Sequence, residues 1–194
     1  VMSRGLQLTF VAAVPDFGQL PASPAEVAFL GRSNVGKSSL LNALAGERLA
    51  KVSATPGRTQ VLTGFRVEGG GATLVDCPGY GYAQVSKAMR RAFVPLLEAY
   101  LLGRENLIRA LLLLDGEIGP TDADLHMLAW LREHEVPAAL VATKHDKVKP
   151  SQRDRRRREV AAACAVAAGE VFWVSAESGF GVSALREQVR DWLR

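Results

Sequence analysis

Gly31-Arg32-Ser33-Asn34-Val35-Gly36-Lys37-Ser38 matches the pattern G-x-x-x-x-G-K-[ST] at every fixed position. Its glycines let the backbone wrap closely around phosphate oxygens, with successive N–H groups pointing inward. In such a loop Lys37 reaches the β- and γ-phosphates of a nucleotide and the Ser38 hydroxyl ligates Mg²⁺. Val27 to Leu30 is a short apolar run before the loop, and Ser38 to Ala45 has helical patterning closed by Gly46. The loop therefore opens a helix whose positive end faces the anion and favours it. A phosphate site is implied; the choice among ATPase, kinase and GTPase rests on the rest of the chain.

Outward from this loop, short apolar runs alternate with amphipathic stretches. Val61 to Val67 alternates like a half-exposed strand, and Gly69-Gly70-Gly71 makes a hairpin-like turn before Ala72 to Val75. Leu107 to Leu114, Ala138 to Ala142 and Val171 to Val174 are near-continuous apolar runs of strand length, as buried parallel strands require. Helical patterns lie at Ala92 to Leu102, Asp122 to Glu135, Ser151 to Ala168 and Val182 to Leu193. The alternation predicts an α/β fold with a mostly parallel central sheet of about six strands and helices on both faces. Right-handed crossovers bring the loops after the strands to one edge, where ligands bind. Residues 1–24 read as an N-terminal extension in which Leu6 to Val14 adds an edge strand, and residues 25–194 as one domain.

Four further elements follow in order. Thr55-Pro56-Gly57-Arg58-Thr59 lies between the first helix and the alternating strand, and reads as a switch loop in which Thr59 ligates Mg²⁺ and senses the γ-phosphate. Asp76-Cys77-Pro78-Gly79 has the form D-x-x-G at a strand end: the aspartate orders Mg²⁺ and its water, and the Gly79 N–H meets the γ-phosphate. Thr143-Lys144-His145-Asp146 has the form T-K-x-D, a variant of N-K-x-D. The Asp146 carboxylate can accept both N1–H and the exocyclic N2–H₂ of guanine, a pattern adenine lacks, while the Lys144 stem lies along the base. Ser175-Ala176-Glu177 follows the last strand, where backbone N–H groups could reach guanine O6.

With these five elements the chain resembles the translation-factor-related (TRAFAC) P-loop GTPases, and more narrowly the EngB (YihA/YsxC) type of bacterial ribosome-assembly GTPase. The closer resemblance rests on Gly31 to Leu40, Thr55 to Gln60, Asp76 to Ala83, Gly119-Pro120-Thr121 with Asp124, and Thr143 to Lys147. It spans residues 25–194 and implies the P-loop NTPase fold of a single GTPase domain. It implies nucleotide contacts at Gly31, Arg32, Ser33, Asn34, Val35, Gly36, Lys37, Ser38, Ser39, Asp76, Gly79, Thr143, Lys144, Asp146, Lys147, Ser175, Ala176 and Glu177. Mg²⁺ would be held by Ser38, Thr59 and Asp76, and Lys37, Thr59, Gly79 and Asn34 would carry catalysis. The implied partners are GTP and GDP, the large ribosomal subunit and its rRNA, with a further need in cell division and septation. One departure is Asp115-Gly116-Glu117, where the family more often has a basic residue after the aspartate; it puts no nucleotide contact in doubt.

Many GTPases orient the attacking water with a glutamine directly after D-x-x-G. Here that position is Tyr80, so slow intrinsic hydrolysis is expected. Two sources of catalysis stay open. Asn34 matches an asparagine that, in some related GTPases, helps hold K⁺ where an arginine finger would otherwise sit; the ribosomal partner could instead complete the site. Tyr80 and Tyr82 read either as packing under a loop or as exposed partner contacts. A P-loop kinase, or a nucleotide-gated binding module with incidental turnover, are the competing functional classes.

The 194 residues are 48% hydrophobic and 23% charged, enough apolar material for a full core. Net charge is +4 with pI about 9.3. Arg153 and Arg155 to Arg158 read either as a solvated helix start balanced by Asp154 and Glu159, or as phosphate contacts to RNA. Lys87, Arg90 and Arg91 follow the D-x-x-G loop and are placed to couple RNA contact to nucleotide state. Cys77 and Cys164 have no zinc or disulfide spacing, and His126, His134 and His145 form no triad, His145 being expected at the surface. No apolar run approaches a membrane span, and Val1 to Gly5 do not open a signal peptide. A cytoplasmic monomer without membrane contact is the expectation.

Overall fold

The computed structural model describes residues 5–49, 61–80 and 87–194, with side chains described from 94 onward in the last segment. The Thr55–Gln60 switch segment, Tyr82 and the side chains of Lys87, Arg90 and Arg91 lie outside the described residues.

Among the described residues, seven strands form one sheet: β1 (Leu8–Val14), β2 (Glu26–Gly31), β3 (Leu62–Val67), β4 (Thr73–Asp76), β5 (Leu107–Asp115), β6 (Ala138–Thr143) and β7 (Val171–Trp173). Their order is β1-β3-β4-β2-β5-β6-β7. β4, β2, β5, β6 and β7 are parallel, whereas β3 pairs antiparallel with both β4 and β1. The seventh strand is β1, the edge strand expected within Leu6 to Val14, which pairs with β3 along its length through a bulge between Phe10 and Ala12. The antiparallel β3–β4 hairpin needs only a tight turn, whereas each parallel step needs a helical crossover.

Among the described residues, five α-helices make those crossovers or close the fold: α1 (Lys37–Ala45), α2 (Lys87–Gly103), α3 (Asp122–Glu133), α4 (Arg153–Ala163) and α5 (Val182–Trp192). Strand alternation divides the interior into two layers. Val27, Phe29, Leu111 and Leu113 face α1 and α5 through Leu41, Leu44, Leu185 and Val189. Ala28, Leu30, Leu112 and Leu114 face the opposite layer, with Tyr100, Leu128, Leu131 and Val160. Each fully buried Leu or Phe contributes roughly 1.5–3 kcal/mol.

Two helices end earlier than their patterning suggests, for one shared reason. Ala165 has φ 51 and Glu135 φ 54, both left-handed. Around Ala165, Val166 N–H donates to Ala161 O and Ala165 N–H to Ala162 O; around Glu135, Val136 N–H donates to Leu131 O and Glu135 N–H to Arg132 O. These are Schellman closures, and the apolar residue after each turn, Val166 or Val136, packs into the core. Without a glycine at the left-handed position, neither stop is marked in the sequence.

At the far end of the sheet, Glu26 is fully buried and accepts from Tyr100 Oη at 3.1 Å and from Arg104 Nη2 at 2.7 Å. This buried pair ties the end of α2 to the start of β2, and so fixes the strand that ends in the phosphate loop.

Candidate nucleotide-binding site

The phosphate loop is assembled where β2 stops. Gly31 has φ 154, and a side chain there would place its first carbon 2.8 Å from Val35 Cγ1 and 3.0 Å from Leu113 O. Gly36, at φ 108, caps α1, which starts at Lys37. Asn34 is exposed and left-handed at φ 63, a conformation asparagine tolerates better than most residues. The Lys37 ammonium donates to Gly31 O at 3.1 Å and Arg32 O at 3.2 Å, so it is held at the loop's centre. Burial pushes its pKa down, while the charge of Asp76 pulls the other way.

Ser38 and Asp76 meet beside it. Ser38 Oγ donates to Asp76 Oδ2 at 3.3 Å. Asp76 Oδ1 is buried and has no hydrogen-bond partner among the described residues. Burial raises the Asp76 carboxyl pKa, against the opposing pull of Lys37 and of the Ser38 hydroxyl. A buried carboxylate oxygen without a donor is costly unless something positive meets it. The pair therefore fits a small hard cation with oxygen ligands such as Mg²⁺. Thr59, the third expected ligand, lies outside the described residues.

Gly79 and Tyr80 lie directly on the phosphate loop. Tyr80 N–H donates to Gly31 O at 3.3 Å, and Ser33 N–H donates to Tyr80 O at 3.2 Å. The Tyr80 ring is buried, not exposed for a partner, and its hydroxyl donates to Asp124 Oδ1 at 3.0 Å. The Arg32 side chain turns the same way, with Nε 3.1 Å from Asp124 Oδ2. Asp124 itself is fully buried and also accepts from Thr121 N–H at 2.9 Å and Thr121 Oγ1 at 2.8 Å. The local signal for this residue is Thr121-Asp122-Ala123-Asp124 ahead of an apolar helix, a variant of the helix-start pattern in which the third residue reaches back to the cap.

At the other end of the site, Thr143 Oγ1 lies 2.6 Å from Val35 O and 3.0 Å from Leu114 O. One hydroxyl proton serves both carbonyls, tying the phosphate loop to the ends of β5 and β6. Lys144 Nζ lies 2.6 Å from Asp115 Oδ2, while Asp115 Oδ1 accepts from Glu117 N–H at 3.0 Å. Asp115 is thus a positioning group for Lys144, a role the sequence reading did not assign. Asp146 Oδ1 accepts from Ser175 Oγ at 2.6 Å, and Lys147 stands off at 3.9 Å from Oδ2.

Two expectations need correcting here. The Ser175 N–H donates to Phe180 O at 2.9 Å and is not directed at a base; Ser175 acts through its side chain on Asp146. Ala176 and Glu177 are exposed beside it. His145 is 3% exposed rather than at the surface, stacked on Phe180 at 3.9 Å with Trp173 edge-on. Burial, and then Arg153 and Arg157, push its pKa down.

The arginine run splits. Arg155 and Arg156 pair with Glu159 at 2.9 and 3.2 Å, and Arg153 Nε donates to Val148 O at 3.3 Å. Arg158 is exposed. Among the described residues, no group of three or more His, Cys, Asp or Glu could hold a metal. Nor is any described helix long and apolar enough to cross a membrane.

The model of the 50S ribosome-binding GTPase family matches residues 26–144, more than half of the chain. A probable GTP-binding protein EngB of Pelobacter propionicus is 44% identical over 165 residues, covering 84% of this chain and 82% of that protein. The crystal structure of a probable GTP-binding protein engB aligns with TM-score 0.71 and 24% identity, over 88% of this chain and 99% of the other. Era in complex with MgGDPNP and nucleotides 1506–1542 of 16S ribosomal RNA aligns with TM-score 0.66 and 25% identity, over 87% of this chain and 55% of that one.

Proposed function

This chain belongs to the EngB family of GTP-binding proteins and is a GTPase, and from that premise we propose that it is a Mg²⁺-dependent, GTP-gated assembly factor for the large ribosomal subunit. The observation that carries the nucleotide part is the Asp146 carboxylate, oriented by Ser175 at 2.6 Å on the same sheet edge as the phosphate loop. A carboxylate held this way takes guanine's two adjacent donors and finds no such pair on adenine. Lys144, braced by Asp115, lays its stem along the base. Neither group has a use in a P-loop kinase.

In this reading Lys37 and the loop N–H groups hold the β- and γ-phosphates, and Gly79 meets the γ-phosphate. Ser38, Asp76 and Thr59 would hold Mg²⁺, which supplies charge to the phosphate oxygens when bound. Water attacks the γ-phosphorus, the bond to the β-phosphate oxygen breaks, and GDP and phosphate leave. Tyr80 is turned into the core and cannot orient that water, so turnover without a partner is slow. Asn34 is exposed at the loop's tip, where K⁺ or a ribosomal group can complete the site.

The ribosomal part rests on the family and on exposed cations. Lys147 is 61% exposed, and Lys149 and Arg158 are exposed as well. Ribosomal RNA is the partner that this charge fits. The cytoplasm and a role in septation follow from the same family reading.

The test is competition of labelled GDP and GTP against ATP in wild type and Asp146→Asn. Guanine nucleotides should win, and the variant should lose about 2–3 kcal/mol of that preference. Equal competition by ATP, with no effect of Asp146→Asn, would overturn the assignment.

A further inference from the structure

We infer that Tyr80 and Asp124 form a latch that opposes the γ-phosphate, making these two residues determinants of the choice between GDP and GTP. The inference rests on the guanine-nucleotide reading above and adds to it the contact that a triphosphate must displace.

The Gly79–Tyr80 segment and the phosphate loop are hydrogen-bonded to each other. Tyr80 N–H donates to Gly31 O, Ser33 N–H to Tyr80 O, and Ser33 Oγ reaches Gly79 O at 3.5 Å. A carbon added to Gly79 would stand 2.9 Å from Ser33 N and 3.0 Å from Lys37 Nζ. Gly79 thus lies close against Ser33 and the Lys37 ammonium. A γ-phosphate held by Lys37 on one side and by the Gly79 N–H on the other needs that gap to open. A diphosphate ends one group earlier and makes no demand on Gly79. Opening is therefore a cost on GTP alone.

What resists opening is the Tyr80 side chain, 6% exposed and bonded to Asp124 Oδ1 at 3.0 Å. Asp124 cannot follow a moving tyrosine. It has no solvent exposure, and its other oxygen is held by Arg32 Nε at 3.1 Å, Thr121 N–H at 2.9 Å and Thr121 Oγ1 at 2.8 Å. A hydrogen bond to a buried carboxylate is stronger than one between neutral groups. Lifting Gly79–Tyr80 off the loop breaks that bond. Apparent GTP affinity is then reduced by the fraction of molecules whose latch is closed, and GDP affinity is not.

Tyr80→Phe keeps the ring and removes the hydroxyl. The full chain is titrated with fluorescent GDP and with a non-hydrolysable GTP analogue in Mg²⁺, and a melting curve confirms that the variant is folded. The analogue should bind roughly tenfold tighter than to wild type, while GDP stays within about twofold. Asp124→Asn keeps an acceptor but loses the charge, so it should shift the ratio the same way by less. An unchanged ratio, or equal shifts for both nucleotides, overturns the latch and leaves the GTPase reading intact. Wild type that does not prefer guanine to adenine nucleotides overturns both.

Discussion

The Ser175 hydroxyl lies 2.6 Å from Asp146 Oδ1 and in turn accepts the Ser178 N–H at 3.0 Å, so one side chain joins the loop after β7 to the carboxylate after β6. A carboxylate aimed by a fixed donor loses less orientational freedom on meeting a ligand than one swinging in solvent. Ser175→Ala should therefore weaken GDP binding by about 1–1.5 kcal/mol, roughly five- to tenfold. Titration calorimetry with GDP and ADP checks this: weak ADP binding should stay unchanged, and an equal loss for both would place the effect in the fold instead of the base site.

Thr143→Val tests the tether between the base loop and the phosphate loop. The two side chains are nearly the same shape, but valine leaves Val35 O, 2.6 Å from the present hydroxyl, without its donor. The expected cost is about 1–3 kcal/mol of stability, read from urea midpoints. GDP affinity should fall as well, because the phosphate loop loses a fixed point. A variant as stable as wild type would mean that Leu114 O and Val35 O are both satisfied without Thr143.

His145 makes stability pH-dependent in a stated direction. Its pKa is lowered in the folded chain, so the unfolded chain binds the proton more readily and stability falls as pH drops below the unfolded value near 6.5. The loss stops once pH passes below the folded value. Its slope inside that window is at most about 1.4 kcal/mol per pH unit. Asp76, whose pKa is raised, acts in the opposite sense on acidification. Denaturation of wild type and His145→Phe between about pH 7.5 and 5.5 separates the two, and the phenylalanine variant should lose the smaller amount of stability.

Asn34 is exposed at the tip of the phosphate loop, where its amide oxygen can join phosphate oxygens around a monovalent cation. GTP hydrolysis should then run faster in K⁺ than in Na⁺ at equal ionic strength, with Asn34→Ala abolishing the difference. A single-turnover phosphate-release assay reads this directly, and identical rates in the two salts would remove the idea.

Much of the site was legible because its chemistry is local. A phosphate loop needs Gly, Lys and Ser at fixed spacing within one turn of chain, so Gly31 to Ser38 states it in eight consecutive letters. Asp76 and Ser175 could be found because each directly follows an apolar run, and Asp146 because Thr143-Lys144-His145-Asp146 follows another; parallel topology brings such ends to one edge. The edge strand β1 was also visible, within the stretch from Leu6 to Val14.

Tertiary structure alone decided which side chains act on one another. Asp115 to Lys144, Ser175 to Asp146, and Arg32 and Tyr80 to Asp124 join residues far apart in the chain, and no periodicity encodes such pairings. His145 looked like a surface group because its neighbours in sequence are charged, and Tyr80, between glycines, read equally as packed or exposed. Both are buried by elements from elsewhere, Tyr80 against α3 and His145 under Phe180. The sequence by itself determined that a guanine-nucleotide site exists and along which edge. Packing decided how its parts restrain one another, because a hydrogen bond depends on distance in space and not on distance along the chain.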